Sequence, residues 1–164
     1  MNADELRELE FRDIAAWART DHPVHLSIVV DEGFDADFAA LSSAPNALYA
    51  FVCENEVYYI GKTARSIRAR FLGYRFPAAN QVTNIRCNEG IGAFLDQGRE
   101  VRILVLVPVS NLQFGNFSLD LAAGLEESLI RHFQPPWNGG KRSRTETEEL
   151  EETLVASESQ LAEA

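Results

Sequence analysis

The sequence predicts an α/β (α+β) protein, in which helices flank a small three-stranded, mostly antiparallel mixed sheet. Two β-rich runs, 47–53 and 57–60, lie on either side of the polar tripeptide 54–56, which is typical of a hairpin. Residues 101–107 are almost continuously apolar and indicate a buried strand. Residues 118–133 carry apolar side chains at helical spacing and end before a pair of prolines.

The N-terminal third predicts an extension that precedes this sheet. Residues 4–19 place leucine, phenylalanine, isoleucine and tryptophan among charges at helical spacing, so we expect an amphipathic helix there. A strand is expected over 24–30 and a short helix over 34–41, followed by a loop over 42–46.

The middle of the chain predicts two helices between the hairpin and the apolar strand. The first is expected over 64–74, followed by an irregular segment over 77–87. Asn88 is then a candidate cap for a short helix that runs to Gln97. Ser118 is the expected cap of the last helix.

Charge is distributed unevenly along the chain. The 164 residues carry a net charge of −10, which by itself argues against a nucleic-acid partner. Residues 1–44 hold three arginines and ten acidic residues, and residues 141–164 hold three basic residues and seven glutamates. Residues 45–140 hold nine basic and eight acidic residues. We therefore expect an extension over 1–44, a functional core over 45–140 and a charged, flexible tail over 141–164.

The core contains a stretch whose only charges are positive. No aspartate or glutamate occurs between Lys62 and Arg86. Such a cluster is usually a solvated helix face, but within an acidic chain it indicates a nucleic-acid-binding surface equally well. The candidate DNA-binding residues are Lys62, Arg65, Arg68, Arg70, Arg75 and Arg86.

Cysteine usage and hydropathy bear on location. Two cysteines form neither a disulfide framework nor a zinc site, which favours a reduced setting. No apolar run has the length of a membrane span, and the N-terminus is acidic, unlike a signal peptide. We expect a cytoplasmic protein with no membrane partner.

One carboxylate falls on the apolar face of the last predicted helix. At about 100° per residue, Glu126 lies between Ala122 and Ile130, whereas Glu127 lies outside that arc and is expected in solvent. A carboxylate on an apolar face is costly unless something pairs with it. Glu126 is either an edge residue that reaches water or an arginine, or a metal ligand or acid–base group.

The spacing of these residues resembles the GIY-YIG nuclease family. Its first triplet corresponds to Ala47-Leu48-Tyr49, with alanine and leucine in place of glycine and isoleucine, and its second is intact as Tyr59-Ile60-Gly61. The family's later glutamate, Leu-Ile pair, proline and asparagine correspond to Glu126, Leu129-Ile130, Pro135 and Asn138. The resemblance covers about residues 47–139.

The resemblance implies a GIY-YIG-like fold and roles for particular side chains. Tyr49 corresponds to a general base or water-positioning group, and Tyr59 to its hydrogen-bonding partner. Glu126 corresponds to the ligand of a Mg²⁺ or Mn²⁺ ion, and a hydrated Mg²⁺ needs only one or two carboxylates.

The family's arginine is followed four residues later by histidine or tyrosine. Arg70 and Tyr74 fit that spacing, with Arg65 and Arg68 as rivals. The guanidinium offers a planar donor fork that suits phosphate. Supporting positions are Gly61, Lys62, Tyr74 and Asn138, and Lys62 either lowers the pKa of Tyr49 or binds phosphate.

The expected function is a divalent-metal-dependent DNA endonuclease that hydrolyses phosphodiester bonds, as a stand-alone restriction- or defence-type enzyme. A homodimer is the simplest geometry for cutting both strands. One alternative is a catalytically inactive nucleic-acid- or protein-binding module that retains the fold. Another is a purely structural subunit recognised through its acidic ends.

Overall fold

The computed structural model describes residues 2–109 and 112–139, so the predicted tail over 141–164 lies outside the described residues. Within them, no helix is long and apolar enough to cross a lipid bilayer. The elements in chain order are α1 (Asp4–Glu8), β1 (Arg12–Arg19), β2 (Leu26–Val30), α2 (Asp35–Ser43), β3 (Ala47–Cys53), β4 (Glu56–Thr63), α3 (Ile67–Arg75), α4 (Val82–Asp96), β5 (Val101–Leu106), β6 (Gln113–Phe114), β7 (Phe117–Ser118) and α5 (Leu121–Phe133).

The main sheet has five strands in the order β2-β1-β5-β3-β4, and every neighbouring pair is antiparallel. The predicted α+β class and the mostly antiparallel sheet are confirmed, whereas the predicted number of three strands is wrong. The two additional strands come from the N-terminal third of the chain. Strand β1 pairs with β5 on one side and with β2 on the other, so this third extends the same sheet.

The predicted helix over 4–19 is also wrong beyond its first turn. Helix α1 ends at Glu8, and Glu10 adopts a φ of 68°, which no helix can continue through. The chain then enters β1, where four consecutive residues, Ile14 to Trp17, are buried. A strand covered on both faces loses the alternation that marks strands, and its apolar residues matched a helical period by chance.

Two helix boundaries differ from the sequence prediction. Helix α4 already begins at Val82, so residues 82–87 are helical and not irregular, and Asn88 lies inside the helix. The Asn88 side chain is buried and donates to the backbone carbonyls of Tyr74 (2.7 Å) and Val24 (2.9 Å). Helix α5 is capped by Asp120, whose carboxylate accepts from the Ala123 amide at 3.1 Å, whereas Ser118 belongs to β7.

The remaining predicted elements are confirmed, with ends moved by a few residues: the strand at β2, the helix at α2, the hairpin β3–β4, the helix at α3 and the strand at β5. The hairpin turns at Glu54 and Asn55, which both have positive φ values of 49° and 66°. Two-residue turns of this kind match the natural twist of paired strands.

The sheet separates two hydrophobic cores. Alternate residues of β3 (Tyr49 and Phe51) face the core shared with α3 and α4, which also holds Trp17, Phe71 and Tyr74. The intervening residues Leu48, Ala50 and Val52 face the core under α1 and α5, with Leu6, Leu129 and Phe133. Because β3 is buried along its whole length, it positions side chains towards both layers.

A bulge in the hairpin changes where one tyrosine points. The register shifts between Phe51, which pairs with Tyr59, and Val52, which pairs with Val57. Tyr58 is the unpaired residue, so it packs against the same core as Tyr59 and not on the opposite face. Its ring contacts Phe94 and Trp137, at centroid distances of 4.7 and 5.1 Å.

Strand β4 is one of the two edge strands of the sheet, and the segment after α5 covers part of it. The amide of Trp137 donates to the carbonyl of Tyr58 at 2.9 Å. The Asn138 side chain accepts from the Ile60 amide (2.8 Å) and donates to the Ile60 carbonyl (2.6 Å). These bonds satisfy an otherwise exposed strand edge and leave its last residues, from Gly61 onwards, open to other partners.

Candidate active site

The site is organised around Gly61 in strand β4, opposite Tyr49 in β3. A Cβ atom at this position would lie 2.7 Å from the Tyr49 hydroxyl and 2.8 Å from the Tyr59 ring. Any side chain would therefore displace both tyrosines. Strand β4 continues two residues beyond Gly61, to Thr63.

Three tyrosines cluster beside this glycine, on the side of the sheet that faces α3. The hydroxyls of Tyr49 and Tyr74 are hydrogen-bonded at 2.8 Å, and the ring centroids of Tyr49 and Tyr59 are 6.1 Å apart. Tyr49 and Tyr74 are fully buried, whereas Tyr59 retains 7% exposure. Burial raises the pKa of all three above the ordinary tyrosine value, so they are neutral at physiological pH.

Of the two roles suggested for Lys62, lowering the pKa of Tyr49 does not fit its position. The ordinary alternation of β4 places it opposite Leu48, whose side chain belongs to the other core. Its ammonium lies 3.4 Å from the Asp120 carboxylate, on the α5 side of the sheet. The cation that opposes the raised pKa of Tyr49 is Arg70.

Arg70 is half-buried on helix α3 and is held by neutral groups. Its Nη1 donates to the Asn84 side-chain oxygen at 2.8 Å, and its guanidinium lies over the Tyr74 ring at 4.3 Å. Burial alone would lower the pKa of Arg70, but Tyr49, Tyr74 and Tyr59 outweigh it and raise the pKa. Its charge is therefore permanent and has no carboxylate partner among the described residues.

Glu126 approaches from the opposite layer, on helix α5. Its Oε1 accepts from the backbone amide of Lys62 at 3.0 Å, just beyond Gly61 on the open edge of β4. Burial raises the pKa of the Glu126 carboxyl, while Lys62 and, more weakly, Arg70 oppose this shift. Arg70, on the other layer, is thus the weakest of the influences on the pKa of Glu126. Glu127 is exposed and pairs with Arg131 at 2.7 Å.

The remaining predicted cations surround this region unequally. Arg65, just before α3, and Arg68, on α3, are both exposed. Arg75 donates through Nε to the Leu26 carbonyl at 3.0 Å, and Arg86 donates to the Trp137 carbonyl at 3.4 Å. None of these four forms an ion pair with the residues that the structure describes.

The donor set suits a hard, hydrated cation. Within residues 2–109 and 112–139, no three histidine, cysteine, aspartate or glutamate side chains form a metal-binding group. Glu126 uses one carboxylate oxygen for Lys62, and its other oxygen accepts no hydrogen bond from these residues. A single free carboxylate oxygen fits Mg²⁺ or Mn²⁺ that keeps several waters and takes phosphate oxygens as further ligands.

The sequence pattern did not reveal Asn84, which orients Arg70. Asn84 lies in the first turn of α4, within the segment predicted to be irregular. The one available signal was the pair Asn84 and Asn88, which are four residues apart and therefore share a helix face. Asp120, the cap of α5 and partner of Lys62, was likewise missed.

Comparison with known proteins agrees with this architecture. No protein-family model matches the sequence, and no curated protein matches it. The structure is similar to that of a glutamate-to-alanine mutant of bacteriophage T4 EndoII, with a TM-score of 0.62 and 21% identity over 85% of this chain and 100% of that one. It also matches the restriction endonuclease HPY188I in complex with product DNA, with a TM-score of 0.48 and 17% identity over 82% of each chain.

The similarity to T4 EndoII shows that the two chains share a fold. The resemblance to GIY-YIG nucleases that the sequence predicted is confirmed over part of the chain. At 21% identity the likeness to T4 EndoII concerns the fold alone.

Proposed function

We propose that this protein is a divalent-metal-dependent DNA endonuclease of the GIY-YIG type, with Tyr49, Tyr59, Arg70 and Glu126 at its centre. The observation that carries the proposal is the arrangement at the open end of strand β4. There Glu126 from α5 accepts from the Lys62 amide, one residue beyond the glycine against which Tyr49 and Tyr59 pack. Arg70 from α3 lies over the ring of Tyr74, whose hydroxyl bonds to that of Tyr49. A carboxylate and an unneutralised guanidinium at one strand end suit a phosphodiester and a metal ion.

Arg70 would bind a non-bridging oxygen of the scissile phosphate. Its charge is not spent on a carboxylate, so it is available to the negative charge that develops there. Glu126 would hold the metal ion, which supplies a water of lowered pKa and further charge neutralisation when it is bound. The partial burial of Glu126 lowers the effective dielectric constant around its carboxylate and strengthens both interactions.

The tyrosines are better suited to orient groups than to accept protons. Burial raises the pKa of Tyr49, and its hydroxyl is already engaged by Tyr74. Of the two roles that the resemblance allows for Tyr49, water positioning through the hydroxyl cluster therefore fits better than general base. Tyr59 retains 7% exposure whereas Tyr49 and Tyr74 retain none, so Tyr59 is the tyrosine nearest to a bound phosphate in this proposal.

The departures from the family's first triplet do not affect these groups. Ala47 and Leu48 are both fully buried, Ala47 in the core beside α3 and Leu48 in the core under α5. They alter packing and leave the tyrosine, arginine and carboxylate in place. This favours an active enzyme over an inactive binding module.

DNA is the proposed partner because the stretch from Lys62 to Arg86, whose only charges are positive, borders the site. Arg65 and Arg68 are exposed beside Arg70 and could contact phosphates on either side of the one being cut. We assign the function to residues 45–140, as a restriction- or defence-type enzyme, and a homodimer would bring two such sites to the two strands.

A cleavage assay tests the proposal directly. Purified protein is incubated with supercoiled plasmid and with nicked, branched and single-stranded DNA, in Mg²⁺, in Mn²⁺ and in EDTA. We expect strand cleavage in at least one metal-containing reaction and none in EDTA. Absence of cleavage on every substrate, together with intact DNA binding, would instead support the non-catalytic binding module.

A further inference from the structure

Six arginines of the described chain form ion pairs with carboxylates: Arg7, Arg12, Arg19, Arg99, Arg102 and Arg131. Arg70 differs from them because its side-chain partner is an amide. An amide oxygen orients a guanidinium but carries no net charge, so it leaves the positive charge available to another anion.

The amide that orients Arg70 is itself fixed. Asn84 is only 6% exposed, and its Nδ2 donates to the Gln81 side-chain oxygen at 2.7 Å. This bond determines which end of the amide faces Arg70, since the oxygen must point away from Gln81. The Gln81 oxygen also accepts from the Ala78 amide at 3.3 Å. Arg70 therefore donates to Asn84 and Asn84 donates to Gln81, whose oxygen is held in turn by the Ala78 amide.

Helix α3 makes room for this series at one residue. A Cβ atom on Gly73 would lie 2.6 Å from the Asn84 Nδ2 and 3.3 Å from the Arg70 Nη1. Gly73 is in the middle of α3, where alanine would favour the helix more. The glycine is required by the approach of Asn84 and not by the backbone conformation.

We propose that Asn84 is a positioning residue that holds the Arg70 guanidinium towards the phosphate while leaving its charge unneutralised. This inference rests on the proposed nuclease function and deepens it. Asn84 acts through Arg70, and Gly73 and Gln81 keep the amide in the required orientation. A carboxylate at position 84 would preserve the geometry and cancel the charge.

Two substitutions separate orientation from charge. Asn84→Ala removes the orienting group, and we expect kcat to fall about 10- to 100-fold with a smaller change in KM, because misplacing a reacting group by about 1 Å costs this much. Asn84→Asp keeps an acceptor for Arg70 but adds a negative charge. For DNA binding in EDTA, we expect it to reduce the slope of log K against log salt by about 0.9, the loss of one phosphate contact.

Asn88→Ala is the matched control. Asn88 is a buried asparagine one turn further along the same helix, but it bonds to backbone carbonyls and not to Arg70. We expect it to lower the melting temperature and to leave kcat unchanged well below that temperature. Gly73→Ala should also lower kcat, because the added Cβ would displace the Asn84 amide from Arg70.

Several results would overturn the inference. An Asn84→Ala variant with the kcat of the wild type would do so, as would equal losses of kcat in the Asn84→Ala and Asn88→Ala variants. If the wild type binds DNA without cutting it, the nuclease proposal fails. The slope of log K against log salt then tests whether Asn84 holds Arg70 for phosphate binding. An unchanged slope in Asn84→Asp then rejects its role, and a reduced slope retains it for phosphate binding. Absence of DNA binding by the wild type would reject both proposals.

Discussion

At the scale of single residues, Glu126 and Arg70 carry opposite charges that are each held by an amide and not by an ion pair. Glu126 has a backbone amide as its partner and Arg70 a side-chain amide, so neither is neutralised by a direct ion pair in the described chain. Burial of unneutralised charge costs stability. Natural proteins retain such arrangements mainly where function requires them.

The sequence located most of these residues. The helical arc and the family spacing both selected Glu126 over Glu127, and the strand pattern placed Tyr49 and Tyr59 together. It did not reveal Asn84, because its contact with Arg70 depends on the approach of α3 and α4 at Gly73. Nor did it predict that burial would raise the pKa of Tyr49, because that shift depends on the packing of the surrounding core.

Replacing Arg70 should affect cleavage more than replacing the neighbouring arginines. We expect Arg70→Ala to lower kcat by about 100- to 1,000-fold, as removal of a preorganised donor to a developing oxyanion does elsewhere. Arg65→Ala and Arg68→Ala remove exposed cations and should lower kcat by less than about tenfold. Initial rates on one plasmid substrate measure all three. Equal losses would show that Arg70 has no special role.

The raised pKa of Glu126 predicts that the functional carboxylate destabilises the fold. The native state retains the Glu126 proton to a higher pH than the unfolded state does, so its stability falls as pH rises through that window above about 4.5. Glu126→Gln keeps an acceptor for the Lys62 amide but removes the charge. In EDTA, urea titrations should show the variant to be more stable than the wild type at pH 7, with the difference shrinking towards pH 4. A variant less stable at pH 7 would contradict this.

At the scale of elements, strand β4 carries the site because its edge is covered only in part. Asn138 and Trp137 occupy the edge up to Ile60, and Glu126 takes the next outward-facing amide, that of Lys62. The edge thereby connects the segment after α5 to the strand that holds Tyr59 and Gly61. A substitution of Asn138 should therefore alter the position of this strand and of the site residues that it carries.

Asn138→Ala tests the contribution of the edge cover. The substitution leaves both backbone groups of Ile60 without their side-chain partner, and we expect a loss of about 1–3 kcal/mol in the free energy of unfolding. Asn80→Ala, at an exposed turn, is the control and should change stability by less than about 0.5 kcal/mol. Urea unfolding of the two variants compares them. Equal stabilities would mean that the edge needs no cover.

The hairpin and β5 could be predicted at this scale because their patterns are local. The hairpin has a polar turn between two β-rich runs, and β5 is a short apolar run with clear ends. Strand β1 and the start of α4 could not. The four buried residues of β1 depend on both neighbouring strands, and Asn84 and Asn88 are polar residues that tertiary hydrogen bonds bury.

At the scale of the whole molecule, positive charge is concentrated in one part of an acidic chain. The net charge of −10 opposes approach to DNA, whereas Lys62 to Arg86 attracts it. Of the ten acidic residues in 1–44, Asp13 alone lies in a strand of the sheet, whereas Asp4, Glu5 and Glu8 lie in α1. The acidic excess of this third is therefore carried mainly by helices and loops around the sheet. The sequence could not predict this placement, since β1 and β2 join the sheet through the pairing of β1 with β5.

The salt dependence of DNA binding tests this distribution. In EDTA, we expect affinity for a short duplex to fall linearly on a log–log plot as salt rises, because phosphate contacts release counterions. A combined Arg65→Ala and Arg68→Ala variant should reduce the slope by up to about 1.8. Arg12→Ala, whose arginine pairs with Asp37, should leave it unchanged. A slope equally reduced by Arg12→Ala would place the DNA elsewhere on the protein.

The paired substitutions Glu126→Ala and Glu127→Ala test the central claim most directly, because the two glutamates are adjacent in sequence and differ in environment. Cleavage of supercoiled plasmid is followed for both variants and the wild type in Mg²⁺, with EDTA as the blank. We expect Glu126→Ala to lower the rate by about 100-fold or more, whereas Glu127→Ala, which loses only an exposed ion pair with Arg131, should cut at the wild-type rate. Metal-dependent cleavage by Glu126→Ala at the wild-type rate would contradict the account.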